Sequence, residues 1–354
     1  VICGGGRHDE RFIEDIALFG AIYGYPILAE PLSGMRFRNH DNRYGLVVSG
    51  YDNFMGALPD ELQAPDVIIR LGAVPTSKAL NEYIAGATEA RVVTISRDGV
   101  WQDDAHRTTH RLHLRTLRHL MPFPHDIYEV RDSDWMKGWA RVEHVTRRVI
   151  ETVTDGPFFD GGVVAAVVGR LGDGSHLFVG NSNAIRHVEQ FTMTGTVTHH
   201  VYASRGASGI DGQVSTALGV AAATGEHIYA ILGDITFYHD MNGLLAVRRN
   251  GVSGTFIVIN NNGGGIFERL PIREFEPYHT EQFLTPHGLT FEHAAAMYGL
   301  AYSHVTDFVT LAAALDRYMR PGVSAIIEVQ TDIKTDEARR KAVIRQVWEG
   351  VGAM

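Results

Sequence analysis

Asp234 and Asn261 are the two residues whose type and spacing most directly suggest chemistry. Each stands just after an apolar, strand-like run. Ile228 to Leu232 leads into Gly233-Asp234, and Phe256 to Ile259 leads into Asn260-Asn261-Asn262-Gly263-Gly264-Gly265. The interval between them, 27 positions (261 − 234), suits a complete strand–helix–strand crossover, which would bring both side chains to one point at the edge of a parallel sheet. A carboxylate, an amide oxygen and a backbone carbonyl near Gly263 make a hard, all-oxygen set. Such a set suits Mg²⁺ or Mn²⁺ completed by phosphate oxygens rather than by more protein. The glycines let backbone approach a diphosphate, and helix N-termini add favourable dipole ends. Asp and Asn are also common turn formers at strand ends, so the pair alone leaves that reading open.

Other conspicuous residues carry less. Gly4-Gly5-Gly6 follows a strand and precedes a helix, but it lacks the G-x-G-x-x-G spacing of a dinucleotide site and reads as a tight turn. The 18 histidines include His106, His110, His113 and His199-His200, without zinc-type spacing. Hydrogen-bonded structural histidine is the expectation for them. Cys3 reads as packed rather than reactive, since nothing near it in sequence would lower its pKa. Glu274-Phe275-Glu276, followed by Tyr278 and His279, reads either as a flap beside a site or as a solvated loop.

Parallel sheets must position these groups. In the first half, helical spacing of Phe12, Ile16, Phe19 and Tyr23 alternates with short apolar runs at Pro26–Ala29, Val67–Ile69 and Val92–Ile95. Ser77–Ile84 reads as a helix between the last two, and Trp135–Val153 as a long helix charged on one face. Thr154-Asp155-Gly156-Pro157 then breaks the pattern, giving expected domains at 1–156 and 157–354. In the second half, strands ending at Val179, Tyr202, Leu232 and Ile259 each run into a small, polar, glycine-bearing loop. One helix is expected from Asp234 through Arg249, a closing strand at Ala325–Val329, and a charged helix from about Thr335. The fold class is therefore α/β, with two doubly wound domains and largely parallel sheets whose ligands bind beyond the carboxyl ends of the strands.

Bulk properties set limits on function. With 45% apolar and 21% charged residues the composition is that of a globular protein, and no apolar run approaches the roughly 20 residues of a membrane span. A net charge of −9 argues against a nucleic-acid partner, though not against acidic small molecules held in a locally basic site. A single cysteine fits a reducing cytoplasm. The opening Val1-Ile2-Cys3, without initiator Met or signal pattern, suggests a piece of a longer chain.

The Gly-Asp, its spacer and the closing Asn-Asn resemble the signature of thiamine-diphosphate enzymes. Ile235 stands where the general motif has glycine, and the menaquinone-pathway synthases commonly carry a larger residue there. Further strings resemble those synthases in order and spacing: Gly180-Asn181-Ser182 with Arg186, Ser204 to Gly212, Asn260 to Gly264 with Ile266-Phe267, and Phe291 to Ala295. In the first half the resemblance rests on layout and on Thr76-Ser77-Lys78.

The resemblance implies a metal held by Asp234, Asn261 and the Gly263 carbonyl. It implies thiamine diphosphate held by Ser208, Gly209, Gly233, Gly264 and neighbouring groups, with Ile210 beneath the cofactor to bend it and Ile266 contributing. Ser182, Arg186, Arg205 and Lys78 would face dianionic substrates, with Ile266, Phe267 and Leu270 as an apolar wall. Planar carboxylates are well matched by guanidinium. The implied reaction decarboxylates 2-oxoglutarate and adds the four-carbon unit to isochorismate, giving 2-succinyl-5-enolpyruvyl-6-hydroxy-3-cyclohexene-1-carboxylate and CO2. It also implies a homodimer or homotetramer, and a catalytic glutamate in a pyrimidine-binding domain that no part of this sequence matches. Residues 1–354 alone are therefore expected not to turn over. Two rival readings are another thiamine-diphosphate enzyme, of acetolactate synthase or 2-oxoacid decarboxylase type, and a non-catalytic assembly subunit.

Overall fold

A computed structural model describes residues 1–6, 8–38, 45–121 and 133–354. The chain divides into two compact units. The first comprises Val1–Glu151, Thr192–Thr198 and Ile344–Met354, and the second Thr152–Phe191 and His199–Val343. Among the described residues no helix is long and apolar enough to cross a membrane.

The first unit is built on a six-stranded, all-parallel sheet of β1 (Ile2–Cys3), β2 (Ile27–Ala29), β3 (Val47–Val48), β4 (Val67–Leu71), β5 (Arg91–Ser96) and β6 (Thr108–His113). The order β3-β2-β1-β4-β5-β6 places the topological switch between β1 and β4. The helix expected at the start is Glu10–Tyr23, with Asp9 accepting the Phe12 N–H as N-cap and Gly24 in the left-handed region as its stop. The helix at Asp134–Ile150 is less solvated than its charge suggests. Glu143 is buried and accepts the Ser49 N–H and hydroxyl and the Gly50 N–H at 2.7–3.0 Å. Val347 and Val351 from the chain end pack into the core around Trp139, which is why the last residues belong to this unit.

The second unit carries β7 (Ser175–Val179), β8 (His199–Tyr202), β9 (Ile228–Gly233), β10 (Gly254–Asn260), β11 (Ala301–Val305) and β12 (Ala325–Gln330), again all parallel, in the order β11-β12-β10-β9-β7-β8. β9, β10 and β12 are buried along nearly their whole length, as strands covered on both faces must be, and so read as continuous apolar runs. The edge strands β6 and β11 do not. Their polar sequences TTHRLH and AYSHV are largely exposed or half-buried, and the sequence reading assigned neither.

The expected helix from Asp234 through Arg249 is instead three pieces: Asp234–Asp240, a 3-10 turn at Met241–Leu244, and Leu245–Asn250. The break has a packing cause. Gly243 lies so close to Ser215 that a Cβ there would sit 2.4 Å from its hydroxyl, while the Asp240 carboxylate accepts the Ser215 N–H and hydroxyl. The terminal helix spans Ile333–Gly352. The acidic segment near Glu274 forms a 3-10 turn (Pro271–Glu274) and then a π-helical turn (His279–Leu284), with Phe275 and Tyr278 exposed and His279 buried.

Candidate functional site

β9 and β10 pair in parallel with Gly233 level with Ile259, so Asp234 and Asn261 leave the sheet side by side. Asp234 is 2% exposed. Its Oδ1 accepts the Ile235 N–H at 2.7 Å, and its Oδ2 accepts the Gly263 N–H at 2.9 Å and stands 3.1 Å from His287 Nε2. Burial raises its carboxyl above the ordinary range, against the lowering effect of those donors.

Asn261 is oriented by the opposite half of its amide. Nδ2 donates to Asp160 Oδ2 at 3.2 Å, which leaves Oδ1 as a buried acceptor without a hydrogen-bond partner among the described residues. The loop behind it is held tightly. Asn262 is in the left-handed region at φ 65°, and a Cβ on Gly263 (φ 146°) would lie 2.1 Å from the Leu284 carbonyl. Asn260 donates from Nδ2 to Glu328 Oε1 at 2.7 Å and to the Leu289 carbonyl at 2.9 Å, fixing the strand end from which Asn261 projects.

A cavity of about 340 Å³ opens at this edge, beside the switch between β7 and β9. It brings together Ser182, Ile210, Gly233, Asp234, Asn261, Gly263, Gly264, Ile266 and Phe267. A carboxylate and an unpartnered amide oxygen at its wall, with glycine backbone around them, fit a hard divalent cation bridged to a diphosphate.

The remaining expected residues lie off the cavity wall. Arg186 donates to the Ser182 carbonyl at 2.6 Å. Arg205 is exposed and donates to Asn181 Oδ1 at 2.6 Å. Ser208 adopts a left-handed conformation, and the Gly209 carbonyl accepts from Asn181 and Gln213, each at 2.7 Å. Leu270 is 44% exposed. Lys78 belongs to the first unit, where its exposed ammonium is 3.5 Å from Glu82.

Sequence reasoning gave no role to three groups that this geometry makes prominent. Asn181, buried at the cavity wall, ties the Ser204 and Gly209 carbonyls together through Nδ2. Asp160 orients Asn261, and its one sequence signal is an acid in the apolar run Phe158-Phe159-Asp160. His287 stands against Asp234 and has no local signal at all.

Behind Asp160 lies a buried polar cluster. The Asp160 N–H donates to Asp336 Oδ1 at 3.0 Å, and Arg269 Nη2 is 2.6 Å from His187 Nε2 and 3.8 Å from Asp336. Burial raises both carboxyls, Asp336 the more strongly with Asp160 beside it. Burial and then the Arg269 charge hold His187 well below its usual range. Ligand atoms of Asp160, His187 and Asp336 lie within 4.8 Å of one another, but Arg269 already brings a cation to them.

Residues 179–329, which contain both strand ends and the cavity loops, match the family model for the C-terminal TPP binding domain of thiamine pyrophosphate enzymes. Over 98% of its length the chain is 43% identical to the 2-succinyl-5-enolpyruvyl-6-hydroxy-3-cyclohexene-1-carboxylate synthase of Roseiflexus sp. (strain RS-1) and 44% identical to that of Roseiflexus castenholzii. A Bacillus cytotoxicus protein of the same name is 37% identical over 87% of the chain. The chain spans 58%, 59% and 52% of the lengths of these three relatives. Since the matched domain coincides with the sheet edge that carries Asp234 and Asn261, the chain belongs to the family of thiamine pyrophosphate enzymes that these synthases represent.

Proposed function

We propose that residues 1–354 are part of a synthase that decarboxylates 2-oxoglutarate and adds the four-carbon unit to isochorismate. The products would be 2-succinyl-5-enolpyruvyl-6-hydroxy-3-cyclohexene-1-carboxylate and CO2, a step of menaquinone biosynthesis. The observation that carries the cofactor part of this reading is the buried Asn261 Oδ1, without a hydrogen-bond partner among the described residues, beside Asp234 at the carboxyl edge of the second sheet; the similarity to the synthases supports the substrates. Asp234, Asn261 and the Gly263 carbonyl would hold Mg²⁺ or Mn²⁺ there, and Gly233, Gly264 and the Ser208–Gly209 backbone would take the diphosphate. Thiamine diphosphate, when bound, supplies the electron sink for decarboxylation and carbon–carbon bond formation.

Other residues of the chain position and neutralise. Ile210 lines the cavity and would support the cofactor, and Ile266 and Phe267 on the same wall would help exclude water. Arg205 and Arg186, with Ser182 and Leu270, would meet the carboxylates and body of the substrates. The guanidinium contacts to Asn181 and to the Ser182 carbonyl keep both arginines beside the loops that flank the cavity. Residues 1–156 would act as the central domain and 157–354 as the diphosphate domain, with Thr192–Thr198 and Ile344–Met354 packing in the first compact unit. The acid–base glutamate is assigned to sequence outside 1–354, and the assembly to a cytoplasmic homodimer or homotetramer.

The test is the full-length protein with Mg²⁺, thiamine diphosphate, 2-oxoglutarate and isochorismate. Release of CO2 that depends on isochorismate is the expected result. Turnover of pyruvate alone would move the assignment to the acetolactate synthase or decarboxylase type, and failure to bind cofactor would favour an assembly subunit.

A further inference from the structure

We propose that His287 is a positioning residue that presents Asp234 to the divalent cation through a fixed ring tautomer; the inference rests on the reading of Asp234 and Asn261 as cation ligands. The Leu289 N–H donates to His287 Nδ1 at 3.0 Å. A neutral ring that accepts at Nδ1 carries its proton on Nε2, the nitrogen 3.1 Å from Asp234 Oδ2. Oδ2 thus receives two donors, that ring N–H and the Gly263 N–H at 2.9 Å, which fixes the plane of the carboxylate. Among the described residues, Oδ1 meets the N–H of the adjacent Ile235.

The histidine is itself held by the loop that carries Asn261. Asn262 Oδ1 accepts the His287 and Gly288 N–H groups at 3.0 and 2.7 Å, and the Gly264 N–H donates to the Leu284 carbonyl at 2.8 Å. The two expected cation ligands and their orienting imidazole therefore move as one piece, although 53 positions of sequence separate His287 from Asp234. Hydrogen bonding to a ligating carboxylate is the kind of outer support whose loss costs about 10–100-fold in metal affinity.

The two ring nitrogens can be tested separately. In His287→Gln the amide nitrogen takes the place of Nε2 and can still donate to Asp234. In His287→Asn the amide oxygen takes the place of Nδ1 and keeps the Leu289 bond but falls short of Asp234. Mn²⁺ is titrated into the full-length protein with thiamine diphosphate and followed by electron paramagnetic resonance. The expected result is a weakening of about 10–100-fold for Asn and only a few-fold for Gln. Equal binding by Asn and wild type, or a loss in Gln as large as in Asn, overturns the proposal and makes His287 a loop support. Wild type that binds no Mn²⁺ overturns the cation-site reading itself. A second measurement needs no variant. Nitrogen-15 spectra of the Mg²⁺-loaded wild type should show His287 as the neutral Nε2–H tautomer, and the Nδ1–H tautomer would overturn the proposal.

Discussion

The two units equip the same kind of sheet edge with different polar groups. In the first, the loops after β1 and β4 are tied down by a carboxylate from the end of β2. Glu30 accepts the Gly5 N–H on one oxygen, and the Thr76 N–H and hydroxyl on the other, at 2.6–3.0 Å. That acceptor ties the two loops together, while a cavity of about 680 Å³ lined by Gly5, Gly6, His8 and Ser96 opens beside them. In the second, the corresponding loops gather a carboxylate and an amide, and among the described residues the buried Asn261 Oδ1 has no hydrogen-bond partner. Leaving such an atom unmet costs about 1–3 kcal/mol, and beside a carboxylate and glycine backbone an amide oxygen suits a hard cation. Doubly wound architecture and a cavity are common to both edges, and the carboxylate–amide pair on glycine-bearing loops distinguishes the second.

The contrast is broken most severely at Asp234. Asp234→Ala in the full-length protein should weaken Mg²⁺-dependent binding of thiamine diphosphate by at least about 100-fold, roughly 3 kcal/mol, in calorimetric titrations. Cofactor affinity within a few-fold of wild type would remove Asp234 from the site. Next comes Glu30→Ala, which orphans three donors in the first unit. Denaturant unfolding should register a loss of about 1–3 kcal/mol, with cofactor affinity unchanged. A fall in affinity instead would mean that the first edge also serves the ligand.

Asp160→Ala should have an intermediate effect on binding, because it frees the Asn261 amide to rotate. A drop of about tenfold in Mn²⁺ affinity is expected, with Asp160→Asn closer to wild type since its amide oxygen can still accept from Nδ2. Equal affinities in all three proteins would show that Asn261 needs no such orientation.

The smallest effect lies at the amino ends of the same strands. His227, held between the Ser253 and Thr255 hydroxyls, is pulled by burial from 6.5 to about 4. The unfolded chain binds a proton near pH 6.5 that the folded chain refuses until about pH 4. Stability from this group is therefore full above pH 6.5 and falls as pH drops from there towards 4. His227→Gln should make that acid loss shallower in denaturant midpoints compared at pH 7 and 4.5. An unchanged slope would place the acid sensitivity elsewhere.

The sequence made the fold class and the centre of the site legible because their signals are local. β9 and β10 are continuous apolar runs, and Asp234 and Asn261 directly follow them. What lay hidden depends on distant segments meeting. Asp160 is 101 positions from Asn261, and no periodicity records that contact. The edge strands β6 and β11 escaped because exposure removes the apolar pattern by which a strand is recognised. The motif marks Arg205 as a candidate, but its bond to Asn181 belongs to the folded loop and not to the motif.

The most direct test is anomalous diffraction from crystals of the full-length protein grown with Mn²⁺ and thiamine diphosphate. A manganese peak bound by Asp234, Asn261 Oδ1 and the Gly263 carbonyl is the predicted result. A peak at the Asp160–His187–Asp336 cluster, or none at the second sheet's edge, would contradict it.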